Sequence, residues 1–545
     1  MNDKIKKHGK LYRFNLKPGF TVGLVSIPLS ISLAIASGVS PVIGLISAFW
    51  GGAIASFFAG SIYNIIGPTG ALSGLILAFA LSHEPGLIPV LTILTGLIIL
   101  AAYLLNFHKY LIYIPGAVIH GFTLGVAFVI GLGQFNNALG IKPAESHETL
   151  IANIIESFKA IHTLQIPSMI VFAIGLAFLI FMKKKAPKLP GAIVLTLIGI
   201  IFGGIATMGY LPFQLPTLLS KYGSLTLNLF PKSIPQLIIT PALFQTAFVI
   251  AFIAIIETML SAKVAEMMTK TKCDDKKEML ALALANIVSG IMGGIPVTAA
   301  LARTSLNIKS GASSNKSASI SALTIGVISI VFFKYFQYLP LPVVAAILVN
   351  VAINMVGKEH FDFLFKHDKL SFAISMVVGA VTLLADPIIA VTGGSIIMLL
   401  RQVEKISNGD FELYVNKNKA LSHIITEDDF SSLDKHTDPL IYSFKGYLTY
   451  INSEAHIERL EEITKNTKNV VLRFRAVAHV DPDGMLMLEE LVEMLEHKKI
   501  NVYFCGISEN IIESFKKTGF FDKYLAEGKF FDKSADALEY IYKKK

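Results

Sequence analysis

Two short stretches of the sequence place Gly, Pro and hydroxyl residues inside otherwise apolar regions. They read "NIIGPTGALSG" (64–74) and "GGIPVTAALART" (293–304). Gly and Pro interrupt helices, because Gly costs conformational entropy and Pro lacks the N–H that a helix interior requires. Each stretch therefore predicts an apolar helix that begins late, with Pro68 and Pro296 in its first turn, where Pro is tolerated.

A helix that begins inside an apolar environment offers a specific chemistry. Its first N–H groups have no partner within the helix, and they carry the positive end of the helix dipole. Two such ends that face each other would bind an anion through backbone N–H groups, without a cationic side chain. Small residues leave room for the anion to approach the backbone. These residues are Thr69, Gly70, Ala71, Val297, Thr298, Ala299 and Ala300.

Glu257 is the acid with the most unusual position. It lies in "FIAIIETMLSAKVAE", roughly 14 residues (~20 Å) into an apolar segment. Acids at such depth are costly and usually functional. Glu257 could hold a proton, or it could offer oxygen ligands to Na⁺ together with Ser261, one turn further on. The alternative is a structural Glu in a salt bridge.

Arg303 lies seven residues after Pro296. Two roles are open for it. It could attract anions toward the pocket, or it could act as a structural strut that pairs with an acid or with carbonyls at a helix end.

The surrounding chain is too apolar for a soluble protein. Of its 545 residues, 53% are hydrophobic and 16% are charged, whereas soluble domains carry about 25% charged residues. Apolar windows long enough to cross ~30 Å of hydrocarbon follow one another up to about residue 400. We predict fourteen spans, centred near residues 28, 50, 76, 97, 125, 174, 199, 254, 286, 304, 326, 350, 377 and 395.

The two breaks occupy spans three and ten, which are corresponding positions in two halves of seven spans. Either break alone is equally well explained as a kink in a packed helix. The pair, however, indicates a transporter built from inverted repeats, with its site near the membrane midplane.

The distribution of Lys and Arg orients these spans. Basic loops such as "KKKAPK" (183–188) and "KTKCDDKK" (270–277) fall on one side, together with the basic N-terminus. The positive-inside rule makes that side cytoplasmic. We expect both termini in the cytoplasm of a multi-pass protein of the inner membrane, no cleaved signal, and free thiols at Cys273 and Cys505.

Several motifs resemble the sulfate permease (SulP) family of anion transporters. They are "GLVSIPLSISLAIASGVSPVIGL" (23–45), "GPTGALSG" (67–74), "NIVSGIMGGIPVTAALARTSLNIKSGA" (286–312) and "LPLPVVAAILVNVAINMV" (339–356). The resemblance implies a seven-plus-seven inverted repeat, a homodimer, and alternating access by a core domain that moves against a gate domain. It implies a substrate site that also includes Ser26, Pro28, Leu301 and Arg303, and an acid at Glu257.

Two departures from the family leave the substrate open. The first span reads "IPLS" (27–30) where many sulfate-type members have Pro-Gln, and Leu301 and Ala302 stand where relatives often have a hydroxyl. The pocket would then depend more on backbone N–H groups. Sulfate, bicarbonate and a dicarboxylate all remain candidates.

The C-terminal region has a different composition. Apolar runs at 440–446, 469–474 and 501–506 predict strands, and amphipathic stretches between and after them predict helices, as in an α/β domain. The region resembles a STAS domain. Asp483 stands where related antagonists carry a phosphorylated Ser, which leaves dimer stabilisation, trafficking or binding of a cytoplasmic regulator as its role.

The sequence thus predicts four segments: a cytoplasmic 1–18, a transmembrane transport domain 19–404, a linker 405–436 and a STAS domain 437–545. The predicted function is secondary active transport of a small inorganic anion, coupled to H⁺ or Na⁺. We expect no enzyme activity, no cofactor and no nucleic-acid partner. The alternatives are a membrane-anchored STAS signalling scaffold and a nucleobase–cation symporter. The STAS tail and the "ARTS" motif (302–305) argue against the symporter.

Overall fold

The structure, a computed structural model, describes residues 2–544 except 114, 146, 148–149, 187–189, 225, 231–239, 386, 418–419, 425–437, 465–466 and 520. The chain divides into two units, residues 1–395 and 396–545. Helices dominate the first unit, whereas the second is built on a sheet.

The helices of the first unit follow the apolar windows of the sequence. Several begin with Pro in the first turn, as at Pro41 and Pro241, where its missing N–H costs nothing. In chain order they are α1 (Asn2–Ala36), α2 (Pro41–Phe58), α3 (Gly70–Ser82), α4 (Ile88–Leu104), α5 (Gly116–Leu132), α6 (Phe135–Leu139), α7 (Leu150–Lys159), α8 (Ile166–Lys185), α9 (Gly191–Thr207), α10 (Leu218–Tyr222), α11 (Pro241–Thr269), α12 (Asp275–Ile291), α13 (Leu301–Lys309), α14 (Lys316–Phe336), α15 (Leu341–Met355), α16 (Lys358–His367), α17 (Lys369–Leu384) and α18 (Pro387–Ser407), which crosses into the second unit.

Every predicted span centre lies within one of these helices. Among the described residues, seven segments are long and apolar enough to cross a membrane, and four further apolar helices are shorter. The short ones include α3, whose 13 residues extend only ~20 Å. The number of fourteen crossings stays a prediction.

The packing of the helices is reciprocal between two halves of the unit. Helix α4 packs on α12 and α2 on α14, while α1 packs on α14 and α11 on α4. The same exchange relates the pair α5 and α17 to the pair α15 and α8. These pairs match if α1–α5 correspond to α11–α15, with α8 matching α17. Reciprocal packing of this kind is what an inverted repeat produces.

Small residues allow the core helices to approach closely. A Cβ on Gly96 of α4 would lie 2.6 Å from the backbone N of Ile287 on α12, and one on Gly290 would lie 2.7 Å from the carbonyl of Pro89. The backbones of α4 and α12 are therefore in direct contact, as is common at interfaces between membrane helices.

The second unit has a six-stranded sheet in the order β4-β3-β5-β6-β7-β8, and β5 to β8 run parallel. Buried Tyr442, Phe444, Phe474 and Phe504 form the centre of its core. The strands are β3 (Phe411–Lys417), β4 (Ala420–Ile424), β5 (Leu440–Leu448), β6 (Asn469–Val480), β7 (Asn501–Cys505) and β8 (Phe530–Phe531), and the helices are α19 (Ser453–Ile463), α20 (Pro482–His497), α21 (Glu509–Thr518), α22 (Asp522–Ala526) and α23 (Ser534–Lys543). The three predicted strands and the α/β class are confirmed.

The segment 405–436, predicted as a linker, contains structure. Strands β3 and β4 form an antiparallel hairpin within it, and β3 pairs with β5 along the edge of the sheet. The sheet therefore begins near Phe411, earlier than the predicted start at residue 437. The sequence did not reveal this hairpin, because its strands are short and mix apolar with polar residues instead of forming the apolar run that marks a buried strand. Residues 425–437 lie outside the described part of the chain.

Candidate anion site at two half-helices

The two sequence breaks meet in space. The residues that precede α3 form strand β1 (Ile66–Gly67), and those that precede α13 form strand β2 (Thr298–Ala299). The two strands pair antiparallel, with Ile66 opposite Ala299 and Gly67 opposite Thr298. The backbone N–H of Ala300 also donates to the carbonyl of Ile65, at 3.2 Å. The prediction that the two breaks lie close together is confirmed.

The positions of the two prolines differ from the prediction. Helix α3 begins at Gly70 and α13 at Leu301, so neither Pro68 nor Pro296 lies in the first helical turn. Pro296 is followed by strand β2, whereas Pro68 itself follows strand β1 and is separated from α3 by Thr69 alone. The residues that cap the two helices are Thr69 and Ala300, and neither cap provides a side-chain hydrogen bond to its helix. Among the described residues, no capping side chain therefore occupies the first amides of either helix.

Charged and hydroxyl groups converge on the first break. The hydroxyl of Thr69 donates to Oε2 of Glu257 on α11, at 2.9 Å. The guanidinium of Arg303, 3% exposed, donates to the carbonyl of Pro68 at 2.5 Å, and its charge interacts with that of Glu257. Arg303 therefore contacts the first break directly and places positive charge beside it.

Gly67 leaves room for this contact. A Cβ on Gly67 would lie only 2.6 Å from Nη1 of Arg303, so the guanidinium passes where any side chain would stand. The glycine of the "GPTG" motif is thereby explained by a close approach between the first break and α13.

Neutral groups hold the second break. The Thr298 hydroxyl donates to the carbonyl of Ala254 at 3.0 Å and lies 2.8 Å from the hydroxyl of Thr258. The N–H of Ala299 donates to the same Thr258 oxygen at 3.1 Å. Both Thr298 and Ala299 are fully buried. Their polar groups already have protein partners, whereas Ala300 and Leu301 are partly exposed.

Three further predicted site residues, Ser26, Pro28 and Ser261, are buried next to the two strands. Ser26 and Pro28 are buried within α1. The Ser26 hydroxyl has no hydrogen-bond partner among the described residues and lines a void of about 10 Å³ that Arg303 also lines. Ser261 donates to Oδ1 of Asn64 at 2.9 Å and lies 3.0 Å from the hydroxyl of Thr304. Its hydrogen bonds among the described residues thus go to these two side chains, and Glu257 bonds to Thr69.

A larger cavity adjoins the start of α3. It has a volume of about 190 Å³ and is lined by Gly70, Ala71 and Ser73 of α3 and by Ile130 of α5. It therefore lies between the group of helices that carries the breaks and the group that contains α5. Two of the predicted small residues, Gly70 and Ala71, are accessible from it.

Sequence reasoning missed three residues that hold the two breaks from behind the site: Asn64, Thr258 and Glu278. Thr258 follows Glu257 directly and bonds both Thr298 and Ala299. Glu278 is fully buried and accepts a hydrogen bond from the side chain of Asn64 at 2.8 Å. Nothing in the local sequence marks these residues, because their partners are distant in the chain.

A helical membrane unit in which two half-helices start from crossed strands, followed by an α/β unit, defines a transporter of the inverted-repeat class. A model of the sulfate permease family matches residues 13–378, and a model of the STAS domain matches residues 431–537. The chain is similar to YvdB of Bacillus subtilis (strain 168), whose name assigns it to sulfate transport. The two are 30% identical over 530 residues, which cover 96% of each chain.

Further similarities are more distant. The bicarbonate transporter BicA of Picosynechococcus sp. is 25% identical, over 92% of this chain and 90% of that protein. The structure of a murine solute carrier 26 family member A9 anion transporter in the inward-facing state has a TM-score of 0.80 at 16% identity, covering 97% of this chain and 91% of that one. The transmembrane domain of a cyanobacterial BicA has a TM-score of 0.58 at 24% identity, covering 69% of this chain and 97% of that one. These two likenesses show the fold. The chain belongs to the sulfate permease family and carries a C-terminal STAS domain.

Proposed function

We propose that the protein is a secondary active transporter of a small oxyanion, sulfate or bicarbonate, driven by H⁺ or Na⁺. The anion binds between the starts of α3 and α13, to the free amides that follow Thr69 and Ala300. The observation that carries this proposal is the pairing of β1 with β2, which brings two helix N-termini to one place. Their dipoles supply positive potential where the anion sits.

The link to a cation depends on Glu257. Its carboxylate accepts the hydroxyl of Thr69, the residue that caps α3. A proton or Na⁺ at Glu257 would neutralise a negative charge adjacent to the anion site, so that cation and anion favour each other's binding. Ser261, one turn away, bonds Asn64 and Thr304, and its part in Na⁺ binding would require that it exchange these partners.

The substrate class follows from the residues that are accessible. Gly70, Ala71, Ala300 and Leu301 offer backbone amides and small or apolar side chains. Such a lining suits a compact oxyanion, which needs several N–H donors and little space. A dicarboxylate would need room for a second charged group and is the second candidate, since the 190 Å³ cavity continues from Gly70.

Uptake into proteoliposomes tests the function. Labelled sulfate and labelled bicarbonate are supplied with and without an inward Na⁺ gradient, and separately with and without a pH gradient. Gradient-dependent uptake of one anion is expected. Ala300→Phe should abolish that uptake by filling the space at the start of α13, while Leu323→Phe, at an exposed position of α14, serves as the bulky control.

The alternative outcome is equally defined. If no small anion enters under any gradient, the membrane unit is a scaffold that presents the STAS domain.

We further propose a homodimer in the inner membrane, with both termini in the cytoplasm and a cytoplasmic regulator at the STAS domain. The basic loops at 183–185 and 270–277 support this orientation.

A further inference from the structure

Glu278 is a buried carboxylate outside the proposed anion and cation sites. It lies in the first turn of α12 and is fully buried. Its Oε2 accepts the backbone N–H groups of Gly60 and Ser61, at 2.9 and 2.8 Å, and its Oε1 accepts Nδ2 of Asn64 at 2.8 Å. A carboxylate can remain buried when several charge-assisted hydrogen bonds replace its water. All three bonds go to the segment 60–64, which leads directly into β1.

Asn64 transmits this contact to the crossing strands. Its Nδ2 faces Glu278 and also the carbonyl of Thr258, at 3.3 Å, while its Oδ1 accepts the hydroxyl of Ser261 at 2.9 Å. The next residue, Ile65, donates its N–H to the hydroxyl of Thr304 on α13, at 3.3 Å. The amide of Asn64 therefore has one orientation that satisfies its partners. Its Nδ2 points toward Glu278 of α12 and the carbonyl of Thr258, and its Oδ1 points toward the hydroxyl of Ser261.

The backbone of segment 60–64 rests directly on the start of α12. A Cβ on Gly60 would lie 2.1 Å from the carbonyl of Asp274 and 2.7 Å from the N of Glu278. The segment thus cannot shift toward α12, and the carboxylate of Glu278 prevents it from shifting away. Residues of the second half of the unit hold the entry of the first break.

We propose that Glu278, acting through Asn64, is a positioning residue for anion transport. It sets the register of β1 on β2 and thereby the place of the first amides of α3. The inference rests on the proposed function, because it assigns these amides to the anion. Glu278 contacts neither of the proposed ions, so its effect is on the geometry of the site.

The polarity of the contact between Glu278 and Asn64 can be reversed. Glu278→Gln must keep its oxygen toward the two backbone N–H groups, which turns its NH₂ toward the NH₂ of Asn64. Asn64→Asp places two carboxylates against each other. In the double variant the Gln NH₂ faces an Asp carboxylate, whose other oxygen still accepts the hydroxyl of Ser261, and only the longer contact to the Thr258 carbonyl, 3.3 Å, is lost. The double variant therefore restores a matched pair with the same net charge.

The experiment measures the full-length protein and the three variants in proteoliposomes and in detergent. Each single variant should raise the KM for sulfate or bicarbonate by about tenfold or more, which corresponds to about 1.4 kcal/mol, and should increase deuterium exchange in residues 60–70 and 298–303. The double variant should return both measurements to within about threefold of the parent. Glu359→Gln, at an exposed acid of α16, should change neither.

The outcomes separate this inference from the proposed function. If the parent takes up no anion, the function fails, and the exchange measurements alone decide whether Glu278 positions the break. Folded single variants with parental KM and exchange overturn the inference, as does a double variant no better than the singles. Both single variants could fail to accumulate in the membrane. In that case, a double variant that accumulates and has the parental KM supports the inference, whereas a double variant that also fails to accumulate overturns the inference.

Discussion

The two breaks look alike in the sequence but are held by different chemistry. The first break is held by titratable groups: Glu278 binds the segment before it, Arg303 binds its Pro68 carbonyl, and Glu257 binds Thr69. The second break is held by neutral groups. Asn286 bonds both the N–H and the carbonyl of Val297, each at 2.9 Å, and Ser47 accepts the N–H of Ile295 at 2.7 Å.

This contrast suggests different roles for the two breaks. Interactions between charges change strongly when a proton, a metal ion or an anion arrives. Hydrogen bonds between amides and hydroxyls change little. Under the proposed function, we expect the first break to be the half that responds to the transported ions and the second break to be the fixed half against which it is set.

The largest expected effect comes from removing the charge that α13 supplies to the first break. Arg303→Gln eliminates the positive charge near Glu257 and weakens the bond to the Pro68 carbonyl. We expect the rate of anion uptake per folded molecule to fall about 100-fold, or ~2.7 kcal/mol in the barrier. Arg303→Lys retains the charge and should lose less. Equal losses in the two variants would assign Arg303 a role in shape alone.

Glu257→Gln tests whether the first break responds to cations. The amide keeps the size of the side chain and can still accept the hydroxyl of Thr69, but it cannot bind H⁺ or Na⁺ as a carboxylate does. We expect gradient-driven uptake to fall about tenfold or more, while anion binding, measured with labelled sulfate or bicarbonate on the detergent-solubilised protein, persists. Uptake that still follows the gradient as in the parent would place the coupling group elsewhere.

Asn286→Leu tests the fixed half. The substitution leaves the N–H and the carbonyl of the buried Val297 without partners, at a cost of about 1–3 kcal/mol for each group. We expect a lower melting temperature in detergent and less protein in the membrane, with an unchanged KM and unchanged cation dependence for the protein that folds. A shift in cation dependence would show that the second break also takes part in coupling.

The smallest effects come from a matched pair of threonines. Thr298→Val removes the bonds to Ala254 and Thr258 in the fixed half, and Thr69→Val removes the bond to Glu257 in the responsive half. Each loses about 0.5–1.5 kcal/mol of hydrogen bonding. We expect only Thr69→Val to change the cation concentration that gives half-maximal uptake. The same change in both variants would remove the distinction between the breaks.

The sequence predicted the parts of this site that depend on local backbone chemistry. Gly67, Pro68 and Pro296 disfavour a continuous apolar helix, and their equivalent positions in two halves indicated that the breaks meet. The prediction placed the helix starts too early, because it took Pro as the first helical residue and could not foresee that Thr298 and Gly67 would pair as strands. Strand pairing is decided by a partner more than 200 residues away.

The supporting residues could not be found in this way. Glu278 follows Asp274 and Asp275 near a helix N-terminus, where acids are ordinarily exposed and favoured by the helix dipole. Only its burial against Gly60 and Asn64 distinguishes it from them. The assignment of Ser261 to a cation site rested on its spacing from Glu257, and the spacing did not reveal Asn64 as a competing partner. The place of the amides and the substrate contacts stay predictions until the uptake measurements are made.

The short ladder between Ile66–Gly67 and Thr298–Ala299 has a mechanical consequence. Because both helix starts are joined through one hydrogen-bonded strand pair, they cannot slide past each other, and neither can move without the other. Under the proposed function, any movement that exposes the ligand to the opposite side of the bilayer must occur around this strand pair. The ligand would then move together with both helix starts and keep its immediate contacts.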